Sequence, residues 1–153
     1  MVAEYFNPYT DFGFKKLFGE EGSKDLLIDF LNQLLSIHHQ IQHLTFKNPE
    51  NLSDTISERK AIFDTYCESK TGDKFIVEMQ KAKIKHFKDR ALFYSTFPIR
   101  EQSEKGGWNF YLLPIYFIAI LDFEYDEHIT PKFRRDVCLK DQDGDIFFDK
   151  LNF

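Results

Sequence analysis

Two strand-like segments joined by a short turn constrain the fold of this chain more than any other feature. The segments "AIFDTYCES" and "KFIVEMQ" contain many β-branched and aromatic residues, and the turn "KTG" between them ends in glycine, so together they predict a β-hairpin. A three-residue loop with Gly72 in the left-handed conformation places Ser69 opposite Asp73. Counting outward along both strands from that pair, Asp64 falls directly opposite Glu78.

This register has a chemical consequence, because directly opposed residues on one face of a hairpin have Cβ atoms about 5 Å apart. Two carboxylates at that distance repel each other unless a positive charge lies between them, and a divalent cation would relieve the repulsion. A register shifted by one residue would turn Asp64 to the face opposite Glu78 and remove the site. The alternative interpretation of the same two residues is an ordinary solvated strand face.

Length and composition favour one folded domain with a substantial core, since 42% of the 153 residues are hydrophobic and 17% are aromatic. The formal net charge of -5 argues against a protein whose whole surface binds nucleic acid. Local basic patches remain compatible with that charge, and the densest one, "KAKIKHFKDR", directly follows the second strand of the hairpin. Strand-like alternation continues to the last residues, "DKLNF", so we expect residues 1–153 to be a single domain and an N-terminal fragment of a longer protein.

Cysteine usage and hydropathy bear on where the protein resides. Cys67 and Cys138 have no metal-ligand spacing, and a chain of this size needs no disulfide, which predicts a reduced, cytoplasmic setting. The start "MVAEYFNPYTDF" lacks the pattern of a signal peptide. The longest apolar stretch, "FYLLPIYFIAIL", has 12 residues and includes Pro114, well below the roughly 20 residues that cross a bilayer, so no membrane partner is expected.

The remaining segments alternate between helical and strand patterns. Thr10 and Ser23 are the expected N-caps of the helices "DFGFKKLF" and "KDLLIDFLNQLL". The segment "LTF" predicts a short strand, and "KIKHFKDRALFYSTFPIREQ" predicts a helix that Pro98 disturbs or ends. A strand in "FYLLPIYFIAILDF" follows, and then a hairpin that turns at Asp143 and Gly144.

Four of these segments, in this order, carry a resemblance to a known family: "NPYTDFGFKKLFG", "FDTYCESKTGDKFIVEMQ", "RALFYSTF" and "LLPIYFIAILDF". The chain resembles the PD-(D/E)xK nuclease superfamily, and more closely its recombination-promoting nuclease / putative transposase (Rpn-like) branch, over nearly all of its length. The resemblance implies an α/β, restriction-endonuclease-like core with a central mixed β-sheet flanked by helices. It also implies a Mg²⁺-dependent (or Mn²⁺-dependent) DNA endonuclease that hydrolyses phosphodiester bonds, with a link to DNA recombination or mobile elements.

The resemblance assigns roles to particular residues. Asp64 stands where the family has its first carboxylate and Glu78 where it has its second, so these two would hold the metal. Gln80 stands where the wider superfamily has a lysine. A neutral amide can orient the attacking water or a phosphate oxygen, but it supplies no positive charge.

Other candidates rest on weaker arguments. Asp11 matches an acid at the start of the family's first helix and could contact the metal or a water; alternatively it only favours the helix dipole. Lys81 and Lys83 could supply charge to the site or bind the DNA backbone, whereas the alternative for the whole basic stretch is the polar face of an amphipathic helix. We expect Arg90 and Tyr94, one helical turn apart, to pack and hydrogen-bond against the sheet.

Two other functional classes fit the same sequence. One is a catalytically degenerate nuclease-fold domain that binds nucleic acid or protein without cleaving, which the glutamine at position 80 and the acidic charge both permit. The other is an interaction module whose phenylalanine-rich surface forms a homodimer or docks a C-terminal region of a longer chain.

Overall fold

The protein is described by a computed structural model, which covers residues 7–35, 40–48, 62–103, 107–125, 130 and 132–153. Three α-helices and six β-strands lie in these ranges. The helices are α1 (Asp11–Phe18), α2 (Lys24–Leu34) and α3 (Phe87–Glu101), and a short 3₁₀ turn (Glu21–Ser23) precedes α2. The strands are β1 (Leu44–Phe46), β2 (Thr65–Ser69), β3 (Lys74–Gln80), β4 (Ile115–Leu121), β5 (Cys138–Lys140) and β6 (Ile146–Asn152).

All six strands form one sheet in the order β1-β2-β3-β4-β6-β5. The pairs β1/β2, β2/β3 and β5/β6 are antiparallel, whereas β3/β4 and β4/β6 are parallel. The parallel step from β3 to β4 requires a crossover connection, and α3 lies in that connection. The expected α/β architecture with a central mixed sheet is therefore confirmed.

Local sequence signals account for most of the element boundaries. The Thr10 hydroxyl accepts a hydrogen bond from the Gly13 N–H at 3.0 Å, which is the predicted N-cap of α1. Ser23 precedes α2 as predicted, but its hydroxyl donates to the Glu20 carbonyl instead of capping the helix. The C-terminal hairpin turns where the Asp-Gly pair predicts, with Gly144 at a φ of 94°.

Pro98 does not end α3, which continues to Glu101. Proline removes one backbone hydrogen bond from a helix, but the side chains of Phe97 and Pro98 are both buried here. That tertiary packing holds the turn in helical geometry against the local preference.

The sheet has an apolar layer on each side. On one side, residues of α1, α2 and the odd-numbered positions of β3 form a cluster that includes Phe14, Leu27, Leu31, Phe75, Val77 and Met79. On the other side, α3 packs on a cluster that includes Phe63, Tyr66, Ile76, Ala91, Phe97 and Phe117. Because side chains of a strand alternate between the faces, β3 is covered on both, and six of its seven residues are buried.

The predicted hairpin register is confirmed. Thr65 pairs with Val77 and Glu68 pairs with Lys74, and the Ser69 N–H donates to the Asp73 carbonyl at 2.9 Å next to the turn. Gly72 has a φ of 91°, the left-handed conformation that the three-residue loop requires. Within the part of the chain described, no helix is both long enough and apolar enough to span a membrane.

Candidate active site

The hairpin brings Asp64 and Glu78 together where β2 begins and β3 approaches its end. Thr65–Val77 is the last pair of the ladder at this end, and Asp64 and Glu78 are the next residues beyond it on the two segments. The Asp64 N–H donates to Glu78 Oε1 at 3.0 Å, and the Met79 N–H donates to Asp64 Oδ2 at 2.9 Å. Each carboxylate is therefore held by a backbone donor of the opposite strand, which restricts the orientation of both side chains.

Glu78 lies in an unusual environment for a carboxylate. It is only 2% exposed, so its alternative interpretation as part of a solvated strand face is wrong. Burial, together with the negative charge of Asp64, raises the pKa of Glu78 from its ordinary 4.5 to about 7, although the Asp64 N–H and Arg90 act in the opposite direction. A carboxyl group with a pKa near neutrality can exchange its proton under physiological conditions.

Asp64 is only half-buried. Burial also raises the pKa of Asp64, while the hydrogen bond from Met79 opposes the rise. The charge of Asp11 raises it further, and the charges of Lys15 and Arg90 lower it. The two carboxylates therefore differ in environment, with Glu78 the deeper of the two.

Asp11 lies exposed in the first turn of α1 and forms an ion pair with Lys15 at 3.3 Å. Its charge acts on Asp64, so α1 contributes to the electrostatics of the site. This position also suits the helix-dipole interpretation, since an acid in the first turn stabilises a helix regardless of catalysis. The assignment of Asp11 to the catalytic set stays a prediction.

Gln80 is the last residue of β3 and lies two positions from Glu78, on the same face of the strand. It is half-buried and pairs with Leu121 of β4. Lys81 and Lys83 follow it and are exposed. Because α3 begins only at Phe87, these two lysines do not lie on a helix, and the amphipathic-helix interpretation is wrong for them.

Arg90 is the residue of the site that sequence reasoning missed. Arg90 Nη2 lies 3.1 Å from Glu78 Oε2, and the guanidinium lies over the Tyr94 ring, 4.8 Å from its centroid. The sequence predicts that Arg90 and Tyr94 hydrogen-bond against the sheet, and the bond from Arg90 to Glu78 of β3 agrees with this, but the sequence did not identify Glu78 as the partner. The sequence feature that could have indicated this contact is an arginine four residues before a tyrosine, in the helix that follows the strand carrying Glu78.

The donor set is compatible with a small divalent cation. Asp64 and Glu78 together offer four carboxylate oxygens, which are the hard ligands that Mg²⁺ and Mn²⁺ accept, and Mg²⁺ usually keeps several waters. Across the described ranges, no group of three or more His, Cys, Asp or Glu side chains is arranged to hold a metal. A cation here would therefore rely on two protein carboxylates, with water or substrate oxygens completing its coordination.

Comparison with protein families decides the kind of protein to which this site belongs. A family model described as "PD-(D/E)XK nuclease family transposase" matches residues 8–153. The chain belongs to this family. No curated protein and no solved structure matches the chain significantly. Membership confirms the resemblance seen in the sequence and the restriction-endonuclease-like fold, and it indicates a nuclease that acts on nucleic acid, in a family that generally uses divalent metals.

Proposed function

We propose that this PD-(D/E)XK family member is a Mg²⁺-dependent (or Mn²⁺-dependent) endonuclease that hydrolyses DNA phosphodiester bonds, in the context of DNA recombination or mobile elements. The observation that carries the proposal is the Asp64–Glu78 pair. Two carboxylates held side by side by opposing backbone N–H groups, with the deeper one at a pKa of about 7, form a local concentration of negative charge. Two acids brought this close are costly in a purely structural core, and clustered carboxylates with a raised pKa are typical of functional sites.

Asp64 and Glu78 would hold the metal. When bound, such an ion supplies a Lewis acid and lowers the pKa of a coordinated water. The protein contributes orientation, since the backbone N–H groups of Asp64 and Met79 set the direction of both carboxylates before any ligand arrives. Glu78 must also lose its proton to serve as a ligand, and its pKa places that loss near neutral pH.

The neighbouring polar residues have supporting roles in this proposal. The Gln80 amide orients the attacking water or a phosphate oxygen from the same strand face as Glu78. Asp11 assists through a metal or water contact from the start of α1. Lys81 and Lys83, exposed beyond the end of β3, contact the DNA backbone.

Cleavage of supercoiled plasmid DNA by the purified chain tests the proposal. We expect nicking that requires Mg²⁺ or Mn²⁺, stops on addition of a chelator, and falls at least about 100-fold in Asp64→Asn and in Glu78→Gln. Glu68→Gln is the matched control, because Glu68 is an ion-paired carboxylate on the same strand face as Tyr66, two residues further along β2 and away from Asp64. An RNA substrate run in parallel separates deoxyribonuclease from ribonuclease activity.

Two results would contradict the proposal in different ways. Equal cutting by wild type and both site variants would assign the cleavage to another source. A folded wild type that leaves DNA and RNA intact would favour the degenerate alternative, a nuclease-fold module that binds nucleic acid or protein. The described residues offer two carboxylates and not a cluster of three, which is the observation that favours this second candidate.

Location and assembly also belong to the proposal. We propose a cytoplasmic protein, in keeping with Cys67 and Cys138 as free thiols. The assignment of residues 1–153 to one domain of a longer protein stays a prediction. Exposed phenylalanines at positions 110, 133 and 147 support a homodimer or docking of a C-terminal region, and sedimentation of the chain over a range of concentrations tests the dimer.

A further inference from the structure

With a divalent cation and a DNA phosphate bound, the site would keep a net negative charge that the neutral Gln80 cannot offset. With both acids ionised, Asp64 and Glu78 carry two negative charges, and a DNA phosphate brings a third. A divalent cation cancels two of these, and the transition state of phosphodiester hydrolysis develops more negative charge on the phosphate oxygens. A neutral amide at position 80 does not offset the remainder, so the site needs a cationic group from elsewhere in the fold.

Arg90 forms an ion pair with Glu78, the deeper of the two carboxylates that would hold the metal. Its contact with Glu78 is made by Nη2 alone, at 3.1 Å. A guanidinium presents five N–H donors in a rigid fork that matches two phosphate oxygens, and one contact uses only part of that set.

Two further features suit Arg90 to binding an anion. Its side chain is 34% exposed, while that of Glu78 is 2% exposed, so the guanidinium reaches from the buried carboxylate toward solvent. The Tyr94 ring beneath it restricts the plane of the guanidinium. A cation that is already ordered loses little conformational freedom when it binds a phosphate.

We propose that Arg90 is the phosphate-binding cation of this site: it holds Glu78 through Nη2 and donates its remaining N–H groups to a non-bridging oxygen of the DNA phosphate. The proposal rests on the proposed nuclease function, because it names the protein group that meets the substrate at the same site. The competing explanation is a purely structural ion pair that fastens α3 to the sheet.

Salt dependence of DNA binding separates the two explanations. All proteins carry Asp64→Asn so that a fluorescent duplex is not cut, and binding is measured in Mg²⁺ over a range of NaCl concentrations. We expect Arg90→Gln to reduce the slope of log K against log salt by about one, as the loss of one phosphate contact does, and Arg90→Lys to retain the slope. Arg100→Gln, which removes the same charge from the other end of α3, is the matched control and should leave the slope unchanged.

Cleavage kinetics provide a second readout on proteins that keep Asp64. We expect Arg90→Gln to lower kcat about 100-fold. Adding Gln80→Lys to Arg90→Gln moves a positive charge onto the strand position two residues from Glu78, and it should restore part of the lost rate. An ion pair that only fastens α3 to the sheet would not be rescued in that way, because a lysine at position 80 lies on β3 and makes no link to α3. Circular dichroism and urea unfolding confirm that every variant is folded.

The outcomes distinguish this inference from the nuclease proposal. If wild type cuts DNA and Arg90→Gln changes neither the salt slope nor kcat, the inference is overturned and the nuclease proposal stands. If wild type does not cut but Arg90→Gln still removes one unit of salt slope, the nuclease proposal fails and Arg90 remains a phosphate contact of a binding module. If the folded chain neither cuts nor binds DNA, both are overturned.

Discussion

Replacing Glu78 with glutamine should stabilise the fold at alkaline pH, because the native carboxyl group is costly to ionise where it lies. The side chain is 2% exposed, and its pKa is raised from 4.5 to about 7, chiefly by burial and then by the charge of Asp64. Glutamine has nearly the same shape as a protonated glutamic acid and does not ionise. The comparison between the two proteins therefore isolates the free energy of ionising Glu78.

The sign of the effect follows from the protons bound in each state. Below pH 4.5 the carboxyl group is protonated in both the folded and the unfolded protein. Ionisation then contributes nothing to the difference in stability between wild type and Glu78→Gln. Between pH 4.5 and about 7 the folded protein keeps a proton that the unfolded protein has lost, so the stability of wild type falls relative to the variant as pH rises. Above about pH 7 the loss is complete.

The size of the effect is set by the difference between the two pKa values. A rise from 4.5 to about 7, at about 1.4 kcal/mol per unit, amounts to about 3 kcal/mol. Urea unfolding at pH 4, 6 and 8 should therefore show the advantage of Glu78→Gln over wild type growing by about 3 kcal/mol across that range. In thermal unfolding, the same free energy corresponds to a shift of the midpoint by roughly 10 °C for a chain of this size.

Glu68→Gln provides a control of opposite sign. Burial alone would raise the pKa of Glu68, but hydrogen bonds from Lys74 and Lys47 outweigh it, and the pKa lies below its ordinary value. Removing that carboxylate should therefore destabilise the protein more at pH 8 than at pH 4.

A free-energy difference between wild type and Glu78→Gln that does not change from pH 4 to pH 8 would refute the reasoning. It would mean that Glu78 ionises as easily in the folded protein as in the unfolded one.

Further predictions concern the metal, one turn and one helix cap. At pH 8, Mg²⁺ or Mn²⁺ should raise the thermal midpoint of wild type and leave that of Glu78→Gln unchanged, as measured by differential scanning fluorimetry. Gly72→Ala should destabilise more than Gly144→Ala in urea unfolding: both glycines have left-handed φ angles, but a Cβ at Gly72 would lie 2.5 Å from Leu113 Cδ1, while the space at Gly144 is open. Thr10→Ala should cost about 1 kcal/mol, and Ser23→Ala much less, because only the Thr10 side chain caps its helix; equal losses in urea unfolding would contradict this.

The features that could be predicted from sequence depend on neighbours along the chain. The cap at Thr10 is made within three residues, and the turn at Gly72 sets the register of both strands that flank it. The position of Asp64 opposite Glu78 follows from that turn by counting. The sheet order β1-β2-β3-β4-β6-β5 could not be counted in this way, because the β4/β6 pairing joins segments that no short turn connects.

Pro98 shows how tertiary contacts override a local preference. Proline disfavours a helix interior wherever it occurs, and the sequence contains nothing to show that burial would hold this turn helical. The segment predicted to be helical begins at Lys83, four residues before the observed start of α3, because lysines at positions 83 and 85 suit a polar helix face as well as an extended segment. The helix begins at Phe87, which packs with the cluster on that side of the sheet.

By itself, the sequence determined that two carboxylates face each other across a hairpin, because turn length and strand alternation are local geometry. Only the tertiary structure decided the burial, the pKa and the ion pairing of those carboxylates. Packing of α3 on the sheet buried Glu78 and moved its pKa toward neutrality, and the same helix placed Arg90 against it. Burial and ion pairing depend on which distant segments cover a face, and those contacts form only when the whole sheet is assembled.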